Sequence, residues 1–109
     1  MNQPKVVDLN DKKEYQRVLC DKADTLGLKV GRVYLEQGSE CGLHSTEARE
    51  EALIFLQGTG QAIIGKNQKA FDVAAGKVAY IPPHTEHNIK NTGPEPLVYV
   101  FCVTPVKNA

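Results

Sequence analysis

The sequence contains few cysteines, and they form no framework. Cys20, Cys41 and Cys102 are the three thiols in 109 residues, an odd number without the spacing of a disulfide-rich protein. No two of them form a CxxC pair, which argues against a zinc site built from thiolates. The amino-terminal residues also lack an apolar run of signal-peptide length. Together these absences predict a reduced, cytoplasmic protein.

Long apolar runs and an excess of one charge are also absent. No segment approaches the ~20 apolar residues that cross a bilayer, so we expect no membrane association. Lys+Arg and Asp+Glu number 13 each, without the basic stripe typical of nucleic-acid-binding proteins, so no nucleic-acid partner is expected. The length predicts one domain over residues 1–109, whose limited core a second subunit would extend.

What the sequence does contain is a series of strand-length segments separated by Gly, Pro and Asn. They occupy residues 28–36, 51–56, 61–65, 70–74, 78–81, 87–90 and 97–104, with a weaker candidate at 5–9. Residues 11–20 fit either a helical turn or a strand. About eight short strands at this spacing predict an all-β sandwich or barrel.

Two of these segments, 52–56 and 97–103, are apolar on both faces. A strand whose outer face meets water would alternate between apolar and polar residues. We therefore expect the outer face of the sheet to be covered, either by the N-terminal segment or by a partner subunit. The second alternative predicts a homodimer.

Three side chains in these segments have the chemistry of metal ligands. Two imidazoles, His44 and His87, and the carboxylate of Glu51 would suit Zn, Fe, Ni or Mn and leave coordination positions open. Glu51 begins an apolar strand and shares a face with Leu53, where a carboxylate requires a partner. Its competitor is Glu50, which points the other way if the strand is regular.

The spacing of these residues resembles the two sequence motifs of the cupin superfamily, in its small single-domain form. The matching positions are Gly38, His44, Glu51 and Gly58 in the first motif and Gly76, Pro82, His87 and Asn91 in the second. The resemblance covers about residues 28–104 and leaves 1–27 as an N-terminal arm. It implies a jelly-roll barrel, also called a double-stranded β-helix. It also implies one divalent metal ion (Zn, Fe, Mn or Ni), held by His44, Glu51 and His87.

The sequence departs from the cupin pattern at two positions. Thr46 replaces the second His of the first motif, and His84 replaces the usual Gly of the second. We expect Thr46 to lie near the metal, on the same face as His44, without binding it directly. Phe55 and His84 are expected near the pocket. His84 would be a turn residue at the rim whose imidazole could act as an acid or base near neutral pH.

Three functions fit these residues, because the jelly-roll fold hosts many chemistries. The first is a metal-dependent enzyme acting on a small polar molecule such as a keto acid, diol or phenol, either a dioxygenase or an isomerase/decarboxylase. The second is a non-catalytic module that binds or senses a small molecule. The third is a metal-free barrel in which His44 and Glu51 only form hydrogen bonds. The sequence names no catalytic residue.

Overall fold

The computed structural model describes residues 2–108, which form β-strands joined by turns and loops. The nine strands are β1 (Gln16–Leu19), β2 (Lys29–Leu35), β3 (His44–Ser45), β4 (Arg49–Gln57), β5 (Thr59–Ile64), β6 (Lys69–Ala74), β7 (Val78–Ile81), β8 (Glu86–Lys90) and β9 (Leu97–Pro105). They form two antiparallel sheets, ordered β1-β2-β9-β4-β7 and β3-β8-β5-β6. The predicted all-β jelly-roll is confirmed. Within residues 2–108 there is no helix that could cross a membrane.

The hydrophobic core lies between the facing sides of the two sheets. Leu53, Phe55 and Tyr99 from the larger sheet meet Ala62 and Ile89 from the smaller one, and all are at most 3% exposed. They recur at two-residue intervals because alternate side chains of a strand share a face. Burying one large side chain of this kind contributes roughly 1.5–3 kcal/mol. The core therefore fixes the spacing between the sheets, and with it the positions of polar residues further along the same strands.

The N-terminal segment differs most from the prediction. The strand expected at residues 5–9 is wrong, because these residues pair with no strand and Val6 is 96% exposed. Valine favours strands locally, but this preference requires a neighbouring strand to pack against. Within residues 11–20 the structure selects the strand alternative, since β1 pairs with β2. The short strand β3 was not expected as a separate element, since a two-residue strand carries no periodic pattern.

The motif residues that are not candidate ligands have structural roles. Gly38, Gly58 and Gly76 have φ angles of 81°, 86° and 90°, in the region where a side chain strains the backbone. Asn91 is 3% exposed, and its side-chain amide donates to two backbone carbonyls, one of which is that of Leu35 at 2.9 Å. The motif spacing therefore encodes turn geometry as well as chemistry.

The outer face of the larger sheet is covered in part by the N-terminal segment. Arg32 on this face donates to the carbonyl of Lys12 at 3.0 Å, and its neighbour on β9, Val100, is only 9% exposed. At the edge strand β7, Val78 remains 67% exposed and Tyr80 remains 59% exposed. The N-terminal segment thus covers the β2–β9 half of this face and leaves the β7 edge open.

Candidate metal site

The two sheets bring His44, Glu51 and His87 to one place. His44 on β3 lies directly opposite His87 on β8, with the ring centroids 4.1 Å apart. Glu51 comes from β4 in the other sheet, and its Oε1 is 3.0 Å from Nε2 of His87. One potential ligand atom from each residue lies within 4.8 Å of the other two. The structure therefore groups the three candidate ligands that the sequence motif marks, and we call them the His-Glu-His cluster.

Backbone carbonyls fix where the protons lie on both rings. Nδ1 of His87 is 3.1 Å from the carbonyl oxygen of Thr85, and Nδ1 of His44 is 2.8 Å from that of Gly42. A carbonyl can only accept a hydrogen bond, so each Nδ1 carries a proton. In a neutral ring the lone pair then lies on Nε2. A carbonyl that accepts from Nδ1 in this way orients a histidine whose Nε2 ligates a metal.

The facing atoms of His87 and Glu51 require a cation between them. Nε2 of His87 is buried and has no well-aligned hydrogen-bond partner, although the Glu51 carboxylate lies 3.0 Å away. In the neutral ring, both atoms are acceptors. Two buried acceptors at this distance are unfavourable unless a proton or a metal ion lies between them.

The surroundings of His87 favour its protonated form when no metal is present. Burial lowers the pKa of His87, but the Glu51 carboxylate and the Thr85 carbonyl raise it more, so the pKa lies above its ordinary value. A divalent cation would replace that proton, because a proton and a metal ion can each bind the lone pair of His87 Nε2 and each offset the negative charge of the Glu51 carboxylate. The donor set therefore fits a divalent metal ion.

Two chambers meet at the cluster. The inner chamber has a volume of about 110 Å³ and is walled, beyond the cluster, by Val33, Cys41, Leu53, Ile89, Tyr99 and Phe101. The mouth chamber has a volume of about 180 Å³ and is walled by Lys29, Ser45, Thr46, Arg49, Phe101 and Val103. The cluster thus lies between a mainly apolar space inside the barrel and a polar space at the strand ends.

Thr46 lies beside the cluster, but its hydroxyl already has partners. The side chain is 6% exposed and borders the mouth chamber. Its Oγ1 donates to the carbonyl of Pro82 at 2.7 Å and accepts from the backbone N–H of Thr85 at 3.1 Å. The hydroxyl proton is therefore used in the turn before His87, so it is not free to serve a bound ligand.

Phe55 and His84 lie away from both chambers. Phe55 is 1% exposed and packs on Tyr99 in the core, with ring centroids 5.1 Å apart. It lies four residues beyond Glu51 on β4, deeper between the sheets, and Leu53 takes the place at the chamber wall. His84 is exposed in its turn, with a φ of 53°. Neither residue lines the two chambers, so the expectation that they border the pocket is wrong.

The competition between Glu50 and Glu51 is resolved by strand alternation. Glu51 faces the core side of β4, whereas Glu50 faces outward and accepts a hydrogen bond from the Tyr80 hydroxyl at 2.8 Å. A regular strand places neighbouring side chains on opposite faces. Glu50 is therefore excluded from the cluster by position rather than by chemistry.

Several residues of the site were not identified from the sequence. Arg49 precedes Glu51 by two residues, so strand periodicity could have placed it on the same face. Lys29 and Tyr99 lie on β2 and β9, where the sequence did not indicate which side chains face inward. Cys41 borders the inner chamber, where burial raises the pKa of its thiol. The thiol therefore stays protonated near neutral pH.

Comparisons with known proteins agree with this fold. The family model described as "Cupin domain" matches residues 31–104. An uncharacterized protein of Methanocaldococcus jannaschii is 37% identical over 68 residues, which are 62% of this chain and 53% of that protein. The chain thus spans about half the length of this curated relative.

Solved structures share the fold. A predicted oxalate decarboxylase from Thermotoga maritima is 27% identical with a TM-score of 0.78, over 84% of this chain and 79% of that one. A cupin family protein with a double-stranded β-helix fold from Methanocaldococcus jannaschii is 18% identical, also with a TM-score of 0.78, over 94% of this chain and 91% of that one. The second likeness shows the fold alone.

Proposed function

This chain belongs to the cupin family, and from that premise we propose that it binds one divalent metal ion and a small polar molecule beside it. The observation that supports the proposal is the 3.0 Å approach of the buried Nε2 of His87 to the Glu51 carboxylate, a pair that is satisfied only with a proton or a metal ion between the two atoms. The ligands would be Nε2 of His44, Nε2 of His87 and the carboxylate of Glu51. Zn, Fe, Mn and Ni all suit this set.

The chain's own residues prepare the site for such an ion. The carbonyls of Gly42 and Thr85 hold the Nδ1 protons of the two histidines, so neither ring needs to reorient. The apolar wall of the inner chamber limits water, which strengthens electrostatic interactions with a bound molecule. A divalent ion here would supply Lewis-acid chemistry or, as iron, redox chemistry.

The enzyme that best fits these features is a dioxygenase or an isomerase/decarboxylase acting on a small molecule with two ligating oxygens. Three protein ligands leave coordination positions open, as metal catalysis requires. The likeness to a protein described as a predicted oxalate decarboxylase supports a small oxygen-rich substrate.

A non-catalytic binding or sensing module is the alternative, and one observation favours it. Beyond the cluster, no histidine and no second carboxylate of residues 2–108 borders the chambers, and the Thr46 hydroxyl is already hydrogen-bonded. The hydroxyl of Tyr99 remains protonated, because burial raises its pKa. Decarboxylation or isomerisation that needs a histidine or a carboxylate to transfer the proton would then have to use the cluster itself.

The metal is tested with Glu51→Gln, which removes a charge and keeps the shape. Glu50→Gln is the matched control, because it makes the same change on the outer face of the same strand. We expect about one divalent ion per chain in the wild type and in the control, and loss of the ion in Glu51→Gln, measured by elemental analysis after purification without chelator. Equal metal content in both variants, or none in the wild type supplied with each of the four ions, would disprove the proposal.

A second measurement separates the enzyme from the binding module. The iron-loaded protein is incubated in air with small keto acids, diols and phenols, and both melting temperature and product are followed. Stabilisation with a product that disappears in Glu51→Gln supports the enzyme. Stabilisation without product over a long incubation supports the binding module, since a ligand that binds only the native state raises its stability. A homodimer is a further part of the proposal, drawn from the exposed β7 edge of the outer face. A cytoplasmic location is another, drawn from the three free cysteines.

A further inference from the structure

Two cationic side chains wall the mouth chamber. Lys29 at the start of β2 and Arg49 at the start of β4 border the same space as the His-Glu-His cluster. The only acidic residue along that wall is Glu51. Because a divalent ion would outweigh the single charge of Glu51, the loaded chamber would carry a clear excess of positive charge.

Neither cation has an anionic partner within the protein. Across residues 2–108, no carboxylate oxygen comes within 4.0 Å of Lys29 or Arg49, since the ion pairs there involve other residues. Nζ of Lys29 lies 6.0 Å from the centroid of the Phe101 ring, a neutral neighbour that also borders the chamber. Both cations are therefore free to bind an external anion, and their field is concentrated by the walls of the cleft.

We propose that the molecule bound beside the metal carries a second, anionic group, a carboxylate or a phosphate, that pairs with Lys29 and Arg49. This inference rests on the proposed function, because the other end of the molecule lies at the metal. Both anions match the forked donors of arginine and the ammonium of lysine. Molecules of similar length with an uncharged end should bind more weakly.

Three 2-hydroxy acids of similar length test the idea, since each can offer the same hydroxy-carboxylate end to the metal. They are 2-hydroxybutyrate with a neutral end, malate with a second carboxylate, and 3-phosphoglycerate with a phosphate. Their affinities for the zinc-loaded protein are measured by isothermal titration calorimetry. We expect malate, 3-phosphoglycerate or both to bind at least about tenfold more tightly than 2-hydroxybutyrate, the factor that one charge-assisted hydrogen bond supplies. The stronger of the two identifies the preferred anion.

The variant Lys29→Gln/Arg49→Gln removes both charges and keeps most of each side chain. Lys66→Gln is the control, because Lys66 is exposed in the turn after β5 and lies on neither chamber. The preference for charged ligands should disappear in the double variant and persist in the control. If the double variant fails to fold, Arg49→Gln alone and a salt titration of the wild type take its place. The preference for ligands with a charged end must then be smaller in Arg49→Gln than in the wild type, and it must fall as the salt concentration rises.

The outcomes distinguish the inference from the function on which it rests. Normal zinc content with no preference for charged ligands, or a preference that survives the loss of both cations, would overturn the inference and leave the metal site intact. A wild-type protein that takes up none of the four ions would remove both.

Discussion

His44 offers the clearest test of metal binding, because it is the cluster residue whose loss disturbs the fold least. His87 is 2% exposed, so its removal would leave a cavity as well as a missing ligand. His44 is exposed, and its one hydrogen bond runs to the Gly42 carbonyl. We therefore expect His44→Ala to lower the free energy of unfolding of the metal-free protein by no more than about 1 kcal/mol.

The effect on the metal-loaded protein should be much larger. At a metal concentration 100 times the dissociation constant, binding stabilises the native state by about 2.7 kcal/mol. In a chain of 109 residues this raises the melting temperature by about 12 °C. Loss of a group that only hydrogen-bonds to a metal ligand costs roughly 10–100-fold in affinity, so losing the ligand His44 itself should cost at least about 100-fold. At the same concentration the stabilisation then falls to about 0.4 kcal/mol, or about 2 °C.

The assay is thermal unfolding with and without zinc, in wild type, His44→Ala and the control His84→Ala. His84 is also an exposed histidine, and it already adopts a positive φ of 53°, so alanine adds little backbone strain. The control should keep the full shift of about 12 °C. A shift in His44→Ala equal to that of the control would show that His44 is not a ligand. Loss of the shift in both variants would point to nonspecific binding by surface histidines.

Two further predictions concern pH and assembly. Because the pKa of His87 is raised in the folded state, its contribution to stability is full below its ordinary pKa of about 6.5 and is lost as the pH rises through the folded value. Urea unfolding of the metal-free protein at pH 5.5 and 8.5 should show this loss. Glu51→Gln should reduce the loss, because the Glu51 carboxylate is one of the two groups that raise the pKa. If a second copy covers the β7 edge, light scattering should give a dimer at micromolar concentration and a monomer for Val78→Asp, since a stable interface must bury more than about 1,000 Å². A monomeric wild type would show that no second copy covers this edge.

The sequence predicted strands well where turn residues bound an apolar segment. The strand predicted at 78–81, between a Gly and a Pro, has the same bounds as β7 (Val78–Ile81). The strand predicted at 97–104 differs from β9 (Leu97–Pro105) by one residue. It failed at 5–9, where local preference had no neighbouring strand to satisfy it. Strand pairing depends on contacts between residues far apart in the sequence, so the sequence of one segment does not show which strand it pairs with, or whether it pairs at all.

Only the part of the candidate site that belongs to the two sequence motifs could be predicted. His44, Glu51 and His87 were identified because their distances from turn glycines and prolines are characteristic. Arg49 and Lys29 were missed because no motif marks them. Strand periodicity relative to Glu51 could have placed Arg49 on the same face, whereas no assigned residue on β2 indicated which way Lys29 points. The sequence also did not show how deeply each inward-facing residue is buried, because the packing of the two sheets decides which of these residues border a chamber.

Thr46 stands where the cupin pattern has a second histidine, and here it stabilises the turn before His87. Its backbone N–H donates to the carbonyl of Thr85 at 3.2 Å, and its hydroxyl accepts from the N–H of the same residue at 3.1 Å. That carbonyl of Thr85 also accepts from Nδ1 of His87 at 3.1 Å. Thr46 therefore holds, from both sides, the residue that sets the orientation of His87 and directs its free lone pair toward Glu51. A histidine at this position would add a fourth ligand, but it would lose the hydroxyl bonds that stabilise the turn. The gain in coordination would then be offset by a less rigid His87.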